Sequence, residues 1–149
     1  MRRTLLAILG CAAAVYAMAY VDLVLRARSA YLEGVKYLEW ETRPELKKAY
    51  FEGKLAKKEA ALKAEAASGK LSPAELDERL ELARFERDQR VAESNFKYAY
   101  VWFQTAVELF SPPESRWVVL SRGKMAEAKA LWKKELEAKR IPYKDYMLE

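Results

Sequence analysis

The chain has 149 residues, of which 52% are hydrophobic and 33% charged, and it contains only five glycines and five prolines. This length supports a domain with a real core, and the composition is typical of an ordered, helix-rich protein. It has no histidine, and Cys11 is its single cysteine. Ser-His-Asp and Cys-His catalytic systems, the usual zinc sites and intramolecular disulfides are therefore excluded. We predict no catalytic residue, no metal site and no cofactor.

The basic excess is small, with a net charge of +5. Two of these charges belong to Arg2 and Arg3, which precede an apolar leader. A nucleic-acid-binding domain carries a stronger and more clustered positive charge. We therefore predict no nucleic-acid partner.

Residues 4–21 form the leader, 18 positions without a charge. A helix of that length rises about 27 Å, close to the thickness of a bilayer core. Two interpretations are open. Residues 1–19 form a signal peptide cleaved after Ala19, with Ala17 and Ala19 at the positions that a signal peptidase reads, or residues 1–25 form a retained membrane anchor. Lipid attachment at Cys11 is disfavoured because the apolar run continues past the cysteine.

In both interpretations the arginine pair stays inside, and the rest of the chain faces the opposite side of the membrane. The leader thus predicts an exported protein, periplasmic or anchored in the bacterial inner membrane. The membrane is a partner of the chain if the leader is uncleaved.

Three short strings, "TRPE" (42–45), "SPAE" (72–75) and "SPPE" (111–114), combine a hydroxyl residue, a proline and a glutamate three positions on. This combination predicts helix starts, because the hydroxyl caps free N–H groups and proline is tolerated in the first turn. The fold class is therefore all-α, a signal or anchor helix followed by a bundle of about four helices, one of them long. The predicted helices cover 20–41, 43–68, 73–110 and 114–140, in a single domain over 20–140.

The second predicted helix is rich in lysine, and the first half of the third is rich in acidic residues. Joined by the short turn "SGKLS", the two helices should fold back antiparallel, with basic side chains beside acidic ones. We expect the lysines to form a solvated face.

The third predicted helix carries apolar residues at alternating steps of three and four, which predicts one continuous core seam. Its members are Phe85, Ala92, Phe96, Ala99, Phe103, Ala106 and Phe110, in line with Leu82 and Gln89. From Phe96 onward this helix is apolar nearly all round, so we place the centre of the core there.

Five aromatic residues form a candidate interaction surface: Tyr98, Trp102, Trp117, Tyr143 and Tyr146. The first three belong to a region, residues 98–117, that is either a ligand pocket or packed core. The other two lie in the tail 141–149, "IPYKDYMLE". The tail is too apolar to float freely, so it either packs back on the bundle or docks on another protein.

Part of the chain resembles a tetratricopeptide repeat. Ala99, Phe103 and Ala106 match the second helix of such a repeat, and Trp117 and Leu120 match the opening of the next one. The match covers about 30 residues. The resemblance implies a TPR-like helical array with a concave surface for peptide binding or scaffolding.

These observations predict a non-catalytic interaction or scaffold protein with a protein partner. The alternative is a periplasmic chaperone or sensor-type bundle that binds a client or small ligand in the aromatic region. An enzyme would have to use carboxylates such as Glu108 and Glu114, and it would need a carboxyl pair close enough to shift one pKa.

Overall fold

The structure is a computed structural model that describes residues 2–148, and those residues form helices and no strand, as the sequence predicts. The α-helices are α1 (Arg2–Thr42), α2 (Pro44–Ala67), α3 (Pro73–Ala92), α4 (Asn95–Leu109) and α5 (Arg116–Ala138), followed by a 3₁₀ helix, η1 (Asp145–Leu148). The all-α fold class is thereby confirmed.

The leader and the predicted first helix are one uninterrupted helix, α1. No proline precedes Pro44, so nothing in residues 2–42 breaks the backbone hydrogen-bond pattern. The helix ends just before that proline, which disfavours helical geometry in the residue preceding it.

One of the three predicted helix starts is capped as expected. The Ser72 hydroxyl accepts from the backbone N–H of Glu75, whose side chain accepts in return from the N–H of Ser72. The other two predictions were wrong in detail. Thr42 is the last residue of α1 and donates to the carbonyl of Glu39, and α5 is capped by Ser115 rather than by the serine of "SPPE".

The chain divides into two compact units. The first unit contains α1 up to Leu38 together with Asn95 onward. Its core holds Ala99, Phe103 and Ala128, which have no exposed surface, and Tyr100, which is nearly buried. The residues of α1 and α5 that pack against this cluster are Tyr31, Val35, Tyr37, Leu38, Met125 and Trp132. Burial of these large apolar side chains stabilises the unit.

The second unit covers Glu39–Ser94 and contains the α2–α3 hairpin. Ion pairs join Lys58 to Glu86 at 2.6 Å and Arg84 to Glu59 at 3.1 Å, so the chain positions run in opposite directions along the two helices. The expected antiparallel arrangement of basic beside acidic side chains is therefore present. The apolar contacts are made by Leu62, Leu71 and Leu80 near the turn and by Trp40 and Phe51 at the other end.

The predicted helix 73–110 is two helices, because the chain leaves helical geometry at Glu93, where φ is −62° and ψ is 149°. The ammonium group of Lys47, only 4% exposed, donates to the Glu93 carbonyl at 2.6 Å. A cation at the carboxyl end of a helix satisfies its free carbonyls and interacts favourably with its dipole. Lys47 is thus a structural residue of this unit and not part of a solvated face.

The break interrupts the predicted seam. Ala99, Phe103 and Ala106 are buried, and Phe96 and Phe110 are half-buried. Phe85 is 59% exposed and Ala92 is also exposed, so the prediction that these two belong to the core was wrong. Apolar residues at alternating steps of three and four share a face only within one continuous helix, and here the pattern is divided between two helices.

Candidate functional site

The first half of α1 presents apolar side chains to the outside. The most apolar 18-residue window in Leu6–Thr42 has a mean hydropathy of 2.0, and none of that window is buried. Tyr16 is 74% exposed, and Leu9, Val15 and Met18 are exposed to a similar degree. The helix is long and apolar enough to be a membrane anchor or a signal sequence.

The predicted cleavage residues, Ala17 and Ala19, lie within α1, away from both of its ends, and their side chains are exposed. Residues 110–115 connect α4 to α5, and we call them the α4–α5 turn. Pro112 and Pro113 of this turn border a shallow hollow of about 270 Å³ whose other walls are Tyr16, Ala19, Tyr20 and Leu23 of α1. The end of the leader therefore lies beside the folded part of its own unit.

Two of the predicted interaction residues are packed against α1. The Tyr98 ring stacks on Tyr37 with ring centroids 5.3 Å apart and an angle of 20° between the planes. The Trp117 ring lies 5.6 Å from Tyr31, and the guanidinium groups of Arg28 and Arg116 lie 5.7 and 5.8 Å from its centroid. Such contacts stabilise a fold. They also leave these two rings only half-exposed.

Trp102, the third residue of the predicted aromatic region, is half-buried and borders an open apolar hollow of about 260 Å³. The other residues around this hollow are Leu25, Arg26, Ser29, Ala30, Thr105 and Phe110. A pocket that encloses a drug-sized ligand holds about 300 to 1,000 Å³. This hollow lies below that range.

The tail packs against its own unit. Leu148 is buried, the Tyr143 hydroxyl donates to Glu137 at 2.9 Å, and Lys133 pairs with Asp145 at 2.6 Å. The hydrogen bond to Glu137, followed by desolvation, raises the pKa of Tyr143 above its ordinary value. Of the two tail tyrosines in the predicted surface, Tyr146 is well exposed and Tyr143 is half-buried.

A groove of about 500 Å³ lies between α2 and α3, and the sequence analysis missed it. Its apolar residues are Phe51, Leu55, Ala83 and Phe85. Its charged residues are Lys54, Lys58, Arg87 and Arg90 with Glu86 and Glu93. Lys58 pairs with Glu86, Arg90 with Glu93 and Arg87 with Asp88, so the remaining positive charge is that of Lys54. No local signal in the sequence indicates this groove, because it depends on the break after Ala92, which the pattern of apolar residues does not show.

The carboxylates weighed for catalysis have ordinary structural partners. Glu114 accepts from Arg122 at 2.7 and 3.1 Å and from Ser111 at 3.0 Å, and the Arg122 hydrogen bond is the main cause that lowers the pKa of Glu114. Glu108 accepts from Gln104 at 2.9 Å. A general acid needs a raised pKa, so Glu114 is poorly suited to that role. No group of three or more potential metal ligands occurs among residues 2–148.

Comparison with known proteins finds no matching family model, no matching curated protein and no matching solved structure.

Proposed function

We propose that this chain is a non-catalytic interaction or scaffold protein, anchored by α1 in the bacterial inner membrane with its helical body on the periplasmic side. The observation that carries the proposal is the exposed, uncharged stretch at residues 6–21 of α1, which continues without a break into a folded unit. Apolar surface of this extent is costly in water and favourable in a bilayer.

Retention of the leader is favoured over cleavage by the position of the α4–α5 turn. Pro112 and Pro113 lie beside Tyr16 and Ala19, and removal of residues 1–19 would take both of those residues away. Loss of these neighbours would expose more of Pro113, which is half-buried.

The orientation follows from Arg2 and Arg3, the basic residues ahead of the uncharged stretch. Positively charged flanks stay in the cytoplasm, which directs α2 to α5 to the opposite side.

The surface that best suits a protein partner is the groove between α2 and α3. Phe85, 59% exposed, offers an apolar anchor, and Lys54 adds a positive charge to a groove whose other cations pair with carboxylates of their own unit. An amphipathic helix with an apolar stripe and acidic flanks complements both properties. The chaperone or sensor alternative has weaker support, because the rings of residues 98–117 mostly pack within the fold and the hollow at Trp102 is small. Membership of the tetratricopeptide-repeat family stays a prediction.

Anchoring is tested by the intact mass and the membrane fractionation of the natively expressed protein. We expect the full-length mass in a membrane pellet that resists alkaline carbonate, and protease digestion of α2 to α5 only after the outer membrane is opened. A soluble chain lacking its first 19 residues would contradict retention, and a full-length soluble chain would contradict membrane insertion altogether.

Partner binding is tested by a photo-crosslinking amino acid at position 85 in living cells. We expect one discrete adduct whose partner peptide, identified by mass spectrometry, belongs to an acidic amphipathic helix, and we expect Lys54→Glu to reduce its yield. The matched control places the same amino acid at Val119, an equally exposed apolar position on α5. Equal adducts at both positions, an adduct of two copies of this chain, or an adduct insensitive to Lys54→Glu would contradict the proposed surface.

A further inference from the structure

The α4–α5 turn lies beside the segment of α1 that the proposed anchor places in the membrane. Pro112 and Pro113 share a hollow with Tyr16, Ala19, Tyr20 and Leu23, and all of these residues belong to one compact unit. The position of the turn along α1 is therefore defined by residues of the leader itself.

The depth of the turn follows from the rise of the helix. Asp22, the first charged residue after the leader, pairs with Arg26 at 2.7 Å and sets the outer limit of the uncharged stretch. Tyr16 lies six residues before Asp22, which corresponds to about 9 Å along the helix axis. Tyr16 and Tyr20 thus fall at the depth where aromatic residues gather at a membrane interface. A turn that borders both tyrosines lies at the same depth.

The chemistry of the turn suits that environment. Leu109, the last residue of α4, is 68% exposed, and Pro112 is also exposed. The only charged side chain in residues 110–115, Glu114, is paired with Arg122, which lowers the cost of placing it near lipid.

Basic residues lie next to this apolar edge. Arg28 follows Asp22 by six residues on α1, Arg116 follows Pro113 by three, and both are exposed with their guanidinium groups near the Trp117 ring. Guanidinium groups bind phosphate oxygens well, and tryptophan favours the boundary between headgroups and acyl chains.

We propose that the end of α4 and the α4–α5 turn form a second membrane contact, in which Leu109 and Pro112 enter the outer interface of the bilayer while Arg28 and Arg116 meet lipid phosphates. This inference rests on the proposed anchoring of α1. It adds that the first unit lies against the bilayer and does not stand away from it on a free stalk.

The test uses the full chain in vesicles of three parts phosphatidylethanolamine to one part phosphatidylglycerol. Cys11→Ser removes the native thiol, and an environment-sensitive fluorophore is attached in turn through Leu109→Cys, Tyr16→Cys or Ala130→Cys. Tyr16 reports the anchor, and Ala130 is an exposed residue of α5 about 21 Å along the helix from Arg116. All three positions are exposed, so each substitution should leave the fold intact, as checked by helical circular dichroism.

We expect the label at position 109 to shift to the blue and to lose most of its emission to nitroxide-labelled lipid, as at position 16, with neither change at position 130. A lipid-exposed label at 16 combined with a water-exposed label at 109 would overturn this inference and leave the anchor standing. Water exposure at both positions would overturn the inference together with the proposed function. Equal quenching at 109 and 130 would also overturn it, because it would indicate general adsorption of the body.

Discussion

The ring of Phe103 lies against the backbone of Gly34, so that α4 approaches α1 at a point where no side chain intervenes. A Cβ atom added at Gly34 would stand 2.6 Å from Cε1 of Phe103 and 2.8 Å from two further ring carbons. Phe103 has no exposed surface and its ring centroid lies 5.9 Å from that of Tyr31. The ring therefore has little room to move away.

Gly34→Ala should destabilise the first unit. Replacing a helical glycine by alanine normally stabilises a protein by about 1 kcal/mol. Forcing a methyl group into a close-packed core destabilises it by about 1 to 3 kcal/mol. The added Cβ would stand only 2.6 Å from the Phe103 ring, so the clash should outweigh the gain in helix propensity. We expect a net loss of up to about 2 kcal/mol in urea unfolding of the full chain in detergent micelles.

The matched control is Gly123→Ala, at an interior position of α5 where an added Cβ meets nothing within 4 Å. This variant should gain about 1 kcal/mol from helix propensity alone. Phe103→Leu should recover part of the loss in the Gly34→Ala background, since the shorter side chain relieves the clash. Equal stability of the two alanine variants would contradict the close contact.

Lys47→Met should destabilise the second unit by about 2 kcal/mol, because it removes a charged hydrogen bond at the carboxyl end of α3 while it keeps the length of the side chain. The Lys47 ammonium is 2.6 Å from the Glu93 carbonyl oxygen and the residue is almost fully buried. Urea unfolding followed by the fluorescence of a tryptophan in this unit, Trp40, measures the loss, with the other three tryptophans replaced by phenylalanine.

Lys48→Met is the control for that change. Lys48 is highly exposed and its nearest acidic partner, Glu52, is 4.0 Å away. Removal of such a surface charge changes stability by less than about 0.5 kcal/mol. If the two variants unfolded alike, Lys47 would have no special role at the end of α3.

Ser121→Ala should leave stability unchanged or raise it by up to about 1 kcal/mol, because the buried hydroxyl has no hydrogen-bond partner to lose. Ser115 gives the contrast: its buried side chain accepts from the N–H of Val118 at the start of α5. Ser115→Ala should therefore cost about 1 kcal/mol. Thermal unfolding of the two variants side by side should show a loss of stability for Ser115→Ala and none for Ser121→Ala, and a loss for Ser121→Ala would contradict the assignment.

Attachment of the tail should depend on pH through Asp145 and Lys133. Their hydrogen bond lowers the pKa of Asp145 below 3.8 and raises that of Lys133 above 10.5. The stabilisation from Asp145 is complete above pH 3.8 and is lost as pH falls through the lowered pKa. The stabilisation from Lys133 is complete below pH 10.5 and is lost as pH rises through the raised pKa.

We expect the NMR signals of the Leu148 methyl groups to move toward random-coil positions in acid, below the ordinary pKa of an aspartate. Asp145→Asn should show part of that change already at neutral pH and a weaker acid response. The control is Asp77→Asn on α3, an exposed residue of the second unit. An acid response unaltered by Asp145→Asn would assign the effect to other carboxyl groups.

Features that depend on neighbouring residues in the chain were determined by the sequence alone. The all-helical fold class, the uncharged leader, the capping box at Ser72 and the antiparallel pairing of a basic with an acidic helix all follow from residue order. Capping and helical periodicity act over three or four residues, so both can be recognised in the sequence without knowledge of the fold.

Only the tertiary structure decided which apolar stripe is buried and where the long predicted helix stops. The 3–4 pattern runs unchanged from Leu82 to Phe110, yet Phe85 faces solvent and Phe103 is buried. The difference arises at Glu93, whose carbonyl is held by a lysine 46 residues earlier in the chain. Burial is a property of the partners that surround a side chain, and those partners are brought together by contacts far apart in sequence. For the same reason the sequence did not indicate the structural roles of Gly34 and Lys47. These roles depend on contacts with Phe103 and Glu93, each more than 40 residues away in the chain.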